Sequence, residues 1–284
     1  MPTPTTPAAP NAGSQSTDWD PQRYLRFERH RAQPFRDLLA RVRPDDEPEP
    51  AFVVDLGCGP GNATELVTKR WPAARVLGVD NSTQMIEAAQ ARAVPGRLDF
   101  RLADLRGLTA DQLGGAVDVL ITNATLQWVP GHLDLIPRFA ELLAPGGTFA
   151  LGVPGNFDSP SHTTLADLQR QPHWANRLTG LEVRPSTPDP EDYLRALDAA
   201  GLAADAWETT YLYVVDGEDG VFDFVSSTGL RPVLIELGGA GSPMAIEFCD
   251  EYRAALREAY PATKLGGRTV QLLPFRRVFA LGVR

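Results

Sequence analysis

The feature that most restricts the fold is a run of three glycines at alternate positions after a short apolar stretch. It reads Val53-Val54-Asp55-Leu56-Gly57-Cys58-Gly59-Pro60-Gly61-Asn62. Phe52–Leu56 has the length and β-branched content of a buried strand, and residues 62–71 have the pattern of a helix. Glycine lacks a Cβ, so the backbone joining the two can turn sharply and press against a ligand. Amides at the start of the following helix attract negative groups. A strand that opens into such a turn belongs in an open α/β sheet, where the crevice at the strand ends receives ligands.

The chain then repeats this alternation. Strands are expected at 75–79, 98–103, 117–122 and 148–153, and helices at 82–92 and 132–143, with Ser82 as an N-cap. Pro145-Gly146-Gly147 is expected to stop the second of these helices. Near-continuous apolar strands separated by helices imply a parallel sheet covered on both faces. After Val153 the rhythm changes. Residues 154–190 hold six prolines and are too long for an ordinary connection. A helix at 191–200, a strand at 207–215, a short helix at 219–227 and a closing strand at 275–283 follow. A second insertion over 228–268 has a helix at 244–259. Upstream, 21–42 is helical in pattern and 43–50 is an acidic, proline-rich linker. The expected organisation is one domain over 18–284. It comprises an N-terminal helical lid and linker (18–50), a ligand-binding core (51–153) and two insertions (154–190 and 228–268) on the substrate side.

Composition narrows the function. With 284 residues, 43% of them hydrophobic, the chain can bury a core without a covalent staple. A formal net charge of -9 argues against nucleic-acid binding, which wants a basic face. Only Lys69 and Lys264 among the 27 basic residues are lysines, so any one arginine is a weak pointer. Cys58 and Cys249 fit neither a disulfide framework nor a metal cluster, which leaves a reducing, cytoplasmic compartment as the simpler expectation. No apolar run is long enough for a membrane span. Residues 1–17 have four prolines, no charged side chain and no apolar middle. They read as a disordered tail and not as a secretory signal.

The glycine spacing separates ligand classes. A dinucleotide fingerprint needs G-x-G-x-x-G, and the sixth position from Gly57 is Asn62. The run here is D-x-G-x-G-x-G. It resembles the first motif of class I S-adenosylmethionine-dependent methyltransferases. That resemblance implies a Rossmann-like seven-stranded sheet with helices on both faces, and S-adenosylmethionine as methyl donor. It implies a cofactor site built from Asp55, Gly57, Gly59 and Gly61. Asp80, closing Leu77-Gly78-Val79-Asp80, would hold the ribose; its alternative is a cap for the helix at 82–92. Asp104 would meet the adenine amino group, and Asn123 would stand in the wall of the active site; the alternative for both is a turn role. Tyr24 would cover the methionine end of the cofactor, or else pack within its helix.

A narrower resemblance rests on motifs outside the glycine loop. They are Asp18-Trp19-Asp20-Pro21, Tyr24-Leu25-Arg26-Phe27, Arg70-Trp71-Pro72, Asn123-Ala124-Thr125-Leu126-Gln127-Trp128-Val129-Pro130, Pro154-Gly155-Asn156-Phe157, Thr228-Gly229-Leu230-Arg231-Pro232 and Pro274-Phe275-Arg276-Arg277. Over residues 18–284 the chain is similar to the trans-aconitate methyltransferase family. The resemblance implies methyl transfer to one carboxylate of a small polycarboxylate, giving a monomethyl ester. No nucleic-acid or membrane partner and no metal is expected, and the chain is expected to act as a monomer.

A carboxylate is ionised at pH 7, because reference acid pKa values lie near 4. The nucleophile therefore needs no general base, which fits four scattered histidines and no acid–base constellation; no catalytic residue beyond positioning groups is expected. A polycarboxylate needs local positive charge, and arginine binds carboxylates bidentately. The candidates are Arg31, Arg231, Arg276 and Arg277, each with a solvated or ion-paired alternative. Arg231 precedes a proline and is expected in extended backbone. Neighbours on a strand point to opposite faces, so Arg276 and Arg277 are not both expected in one pocket. Gln127, Trp128, Asn156 and His162 complete the expected substrate wall, with core packing as the alternative for Trp128. Other readings stay open: a methyltransferase for another free carboxylate, such as malonyl-acyl-carrier protein or a related small acid, and a non-enzymatic S-adenosylmethionine-binding module.

Overall fold

The computed structural model describes residues 27–43, 47–178, 180–181, 187–226 and 229–284, without the side chains of residues 28, 29 and 31. The tail at 1–17 and the expectation for Tyr24 lie outside the described residues, as does the one for the Arg31 side chain. The elements run α1 (Glu28–Arg41), β1 (Phe52–Leu56), α2 (Thr64–Arg70), β2 (Arg75–Asp80), α3 (Thr83–Gln90), β3 (Leu98–Leu102), α4 (Ala110–Leu113), β4 (Val117–Asn123), α5 (Ile136–Leu142) and β5 (Leu143–Pro154). They continue as α6 (Pro160–Gln169), α7 (Pro172–Ala175), α8 (Pro190–Ala199), β6 (Ala203–Asp216), α9 (Gly220–Ser226), α10 (Arg231–Glu236), α11 (Pro243–Ala259), β7 (Thr263–Leu265) and β8 (Arg268–Val283).

The strands form one sheet in the order β3-β2-β1-β4-β5-β8-β6, with β7 paired to β8 outside that path. β1 to β5 are mutually parallel, as expected. β8 runs antiparallel to both β5 and β6. The strand order reverses between β1 and β4, and a sheet of this kind places its ligand crevice at that switch point. The seven expected strands are present; the short β7 is added by a hairpin through Gly266-Gly267, both at positive φ.

Period-two burial divides the sheet into two faces. Val54, Leu56, Leu77, Val79, Leu120 and Leu151 pack with Phe139 of α5 and with Tyr193 and Leu197 of α8. Val53, Val76, Phe100, Val119 and Phe279 face the other way, against Phe35 and Leu38 of α1, Val67 of α2 and Ile86 of α3. Every β1 residue is buried, which explains its unbroken apolar run.

β6 and β8 exceed their expected bounds. Their pairing extends from Ala203↔Val283 to Asp216↔Val270, so the ribbon leaves the sheet and enters a cap. There Tyr213, Val215 and Leu273 meet Trp174 of α7, Phe222 and Phe224 of α9, and Phe248 and Tyr252 of α11. The two insertions supply most of the cap helices. Among the described residues, no helix is long and apolar enough to cross a membrane.

Local chemistry sets most ends. Ser82 Oγ accepts from the Met85 amide at 3.4 Å, so the expected N-cap forms. Asp189 and Asp192 close a capping box around Pro190 at the start of α8. The helix expected over 132–143 splits: a 3-10 turn covers His132–Leu135, and the α-helix begins at Ile136, where Pro137 fits the first turn. Pro145-Gly146-Gly147 does not end a helix but makes an irregularity in β5. Between Val117 and Val119, its partner advances from Leu143 to Thr148.

Candidate active site

The glycine turn folds against β2. The Gly57 and Cys58 amides both donate to the Val79 carbonyl, at 2.7 and 3.0 Å. Gly57 and Gly59 share positive φ, at 74° and 55°, but not surroundings. A Cβ on Gly57 would lie 2.2 Å from Thr125, whereas one on Gly59 would meet nothing within 4 Å. Open space in front of Gly59 is what a ligand lying against the backbone requires.

Asp80, at the end of β2, accepts from the Gly59 amide through Oδ2 and from the Ser82 amide through Oδ1, each at 2.9 Å. It fastens the turn and starts α3 at once. Asp55 departs from expectation. Its carboxylate is buried beneath the turn, where Thr64 Oγ1 donates to it at 2.7 Å. Burial pushes its pKa up to about 6, against the lowering effect of the Thr64 bond, with the Asp80 charge adding to the rise. Asp55 thus braces the turn from behind and does not face the cleft, because its position on β1 points inward. Asp104 also departs. It caps the 3-10 turn Leu105–Gly107 and accepts from Arg106 Nε at 3.0 Å; these Arg106 bonds pull its carboxyl below the usual range. The structure places this acid on Arg106, at the surface.

A cleft of about 1780 Å³ opens from the glycine turn and runs beneath the cap. Asn123, Gln127, Trp128, Asn156, His162 and Arg277 all line it. Trp128 is 56% exposed, so it stands at the mouth and is not core. Gln127 Nε2 donates to the Ala124 carbonyl at 2.6 Å. Gln127 Oε1, Asn123 Oδ1 and Asn156 Nδ2 are buried and make no hydrogen bond. Such orphaned groups cost about 1–3 kcal/mol each, and a polar ligand would relieve that cost. His162 lies edge-on to Phe157, with ring centroids 5.1 Å apart, and its Nδ1 is 3.2 Å from Ser161 Oγ.

The four arginines separate. Arg277 is 5% exposed, with its guanidinium 5.4 Å from the Phe275 ring centroid, and lines the cleft. Arg276 turns to the opposite face of β8. There Nη2 holds both Asp189 and Glu208 at 2.6 Å, so its expected contact with substrate is corrected to an ion pair. Arg231 is corrected as well. It opens α10 and is exposed, while Leu230, Pro232 and Val233 line the cleft beside it. Pro232 is tolerated in the first helical turn, so the residue before it is not extended here.

Sequence reasoning missed Tyr213, Phe224 and Phe275, aromatic wall residues from the distal ribbon and α9. It also missed the fastening of α1: Tyr211 Oη donates to Asp37 at 2.7 Å and Tyr213 Oη to the His30 carbonyl at 2.8 Å. The Tyr–Leu–Tyr alternation at 211–213 was the available signal for the wall. No local signal exists for contacts spanning so much chain.

The comparisons agree with this architecture. A family described as a methyltransferase domain matches residues 53–147. The chain is 54% identical over 268 residues to a protein of Streptomyces avermitilis named trans-aconitate 2-methyltransferase, covering 93% of this chain and 96% of that protein. A protein of the same name from Rhodococcus jostii is 43% identical over 265 residues, covering 93% and 98%. Among solved structures, the YcgJ protein of Bacillus subtilis superposes with a TM-score of 0.53 at 15% identity, covering 89% of this chain and 98% of that one. A geranyl diphosphate methyltransferase in complex with SAM gives 0.52 at 15% identity, covering 93% and 89%; both share the fold. Both matches extend over 93% of the chain, and the chain belongs to the trans-aconitate 2-methyltransferase family.

Proposed function

We infer that this protein transfers the methyl group of S-adenosylmethionine to one carboxylate of trans-aconitate, releasing a monomethyl ester and S-adenosylhomocysteine. The observation that carries the reading is Arg277, a buried cation on the wall of the cleft that begins at the glycine turn. Arginine presents a planar fork of donors that matches a carboxylate bidentately, so a guanidinium on this wall can hold one carboxylate of an acid. The names of the relatives supply the acid.

The residues fit the methyl donor. Space stands open before Gly59, and the unsatisfied acceptor oxygens of Asn123 and Gln127 belong to residues that line the same cleft. Bound there, the donor supplies an electrophilic methyl group on a sulfonium. Gly57 and Gly59 set the approach of the backbone, and Asp80 offers its remaining lone pairs to ribose hydroxyls. Arg277 holds an acceptor carboxylate, and Asn156, His162, Gln127 and Trp128 line the same cleft around the acid. No general base is required, because the acceptor oxygen is already anionic at pH 7. The protein's task is alignment, and well-oriented reactants gain on the order of 7–11 kcal/mol. Opposite charges merge during transfer, so exclusion of water by Tyr213, Phe224 and Phe275 favours it. We further infer that the enzyme acts in the cytoplasm, which free thiols at Cys58 and Cys249 support, and as a monomer.

The test is incubation with S-adenosylmethionine and a panel of di- and tricarboxylates and acyl-carrier-linked malonate, with esters identified by mass spectrometry. Preferential formation of trans-aconitate monomethyl ester is expected; preference for a carrier-linked acid, or no ester at all, would overturn the reading. Arg277→Ala should raise the KM for trans-aconitate about 10- to 100-fold through loss of charged hydrogen bonds, with cofactor Kd within twofold.

A further inference from the structure

The segment between β4 and the 3-10 turn at His132–Leu135 supplies part of the cleft wall through Ala124, Gln127, Trp128 and Pro130, and His132 lines it too. Its near end is fastened to the cofactor loop. Ala124 sits at φ 55°, its amide donates to the Gly152 carbonyl at 2.8 Å, and Thr125 Oγ1 donates to the Gly57 carbonyl at 3.2 Å.

The far end is fastened elsewhere. His132 Nδ1 lies 3.1 Å from the Val129 carbonyl and Nε2 lies 2.7 Å from Tyr193 Oη, with the two rings stacked at 5.7 Å and 21°. A carbonyl only accepts, so Nδ1 carries the proton and Nε2 accepts from the Tyr193 hydroxyl. Burial also disfavours the charged imidazolium. Tyr193 is fully buried on α8, the helix that follows the excursion bearing Asn156 and His162. One buried hydrogen bond therefore joins the wall on the β4 side to the helix that returns from the opposite wall.

We propose that His132 and Tyr193 are a positioning pair for the methyl acceptor: Tyr193, acting through His132, sets where the 124–131 wall stands relative to the acid. The proposal rests on the reading that this cleft holds a carboxylic acid. His132 lines the cleft and Tyr193 reaches it only through His132, whereas the glycine turn is held by Val79 and Asp80 of β2, so the effect is expected on the acceptor. The experiment compares the full chain with Tyr193→Phe, His132→Asn and the double variant, using cofactor titration, steady-state kinetics with trans-aconitate and thermal melting. Asparagine keeps a donor near the Val129 carbonyl and loses the acceptor facing Tyr193. Each single variant is expected to lower kcat/KM for trans-aconitate about tenfold, while cofactor Kd stays within twofold and the protein remains folded. The double variant is expected to be no worse than the singles, because one bond is lost in all three. Unchanged kcat/KM in Tyr193→Phe, additive losses, or losses matched by weakened cofactor binding would overturn the positioning role. An unmodified protein that makes no ester would sink both this proposal and the functional reading; an active one with a silent Tyr193→Phe sinks the pair alone.

Discussion

Gly57 and Gly59 have the same hand of backbone and opposite reasons for lacking a side chain. At positive φ an added Cβ costs about 1–2 kcal/mol in either place. At Gly57 it also collides with Thr125, and overpacking adds about 1–3 kcal/mol. Urea denaturation should therefore find Gly57→Ala clearly less stable than Gly59→Ala. Calorimetry with Gly59→Val should show cofactor binding abolished in a folded protein; retained affinity would move the donor site elsewhere. Asp55 makes a different prediction. Its folded pKa of about 6 lies above the ordinary value for an aspartate, so folding favours its protonated form, and that favourable contribution is lost as pH rises through 6. Asp55→Asn carries no such burden and can still accept from Thr64. The variant should gain up to about 3 kcal/mol relative to the unmodified protein at pH 8, and the gain should vanish near pH 4. A gain independent of pH would contradict the buried acid. The residue pattern made the glycine turn legible, but not that Asp55 faces inward, because one motif serves a ligand on one side and a core on the other.

At the scale of elements, β8 shows what alternation reveals and what it leaves open. That Arg276 and Arg277 must part was readable from the strand period; which one faced the cleft depended on the register of β8 against β6, with Thr210↔Arg276 and Thr209↔Arg277. Arg276→Ala should leave kcat/KM unchanged and cost no more than about 1 kcal/mol in denaturation, since its partners Asp189 and Glu208 are well exposed. A raised KM for trans-aconitate would return Arg276 to the site. The parallel core was readable from continuous apolar runs. The length of the ribbon was not, because its distal half packs on cap helices whose placement no local pattern announces.

The whole molecule carries its cleft between a two-faced sheet and a cap with its own apolar cluster. Filling the donor site at one hundred times Kd should stabilise the folded state by about 2.7 kcal/mol. Differential scanning fluorimetry should therefore show a melting temperature that climbs with S-adenosylmethionine concentration, and far less change with trans-aconitate alone. An equal rise with the acid alone would place the acid's site apart from the glycine turn. The sequence by itself determined the strand–turn–helix unit and the alternation of faces, because each follows from neighbours a few residues apart, and its motifs carried the resemblance that implies the methyl donor. Only the tertiary structure decided which arginine lines the cleft, that Asp104 is held by Arg106, and that Tyr193 reaches His132. Choices of this kind turn on strand register and on packing between distant segments, where short-range preference carries no information.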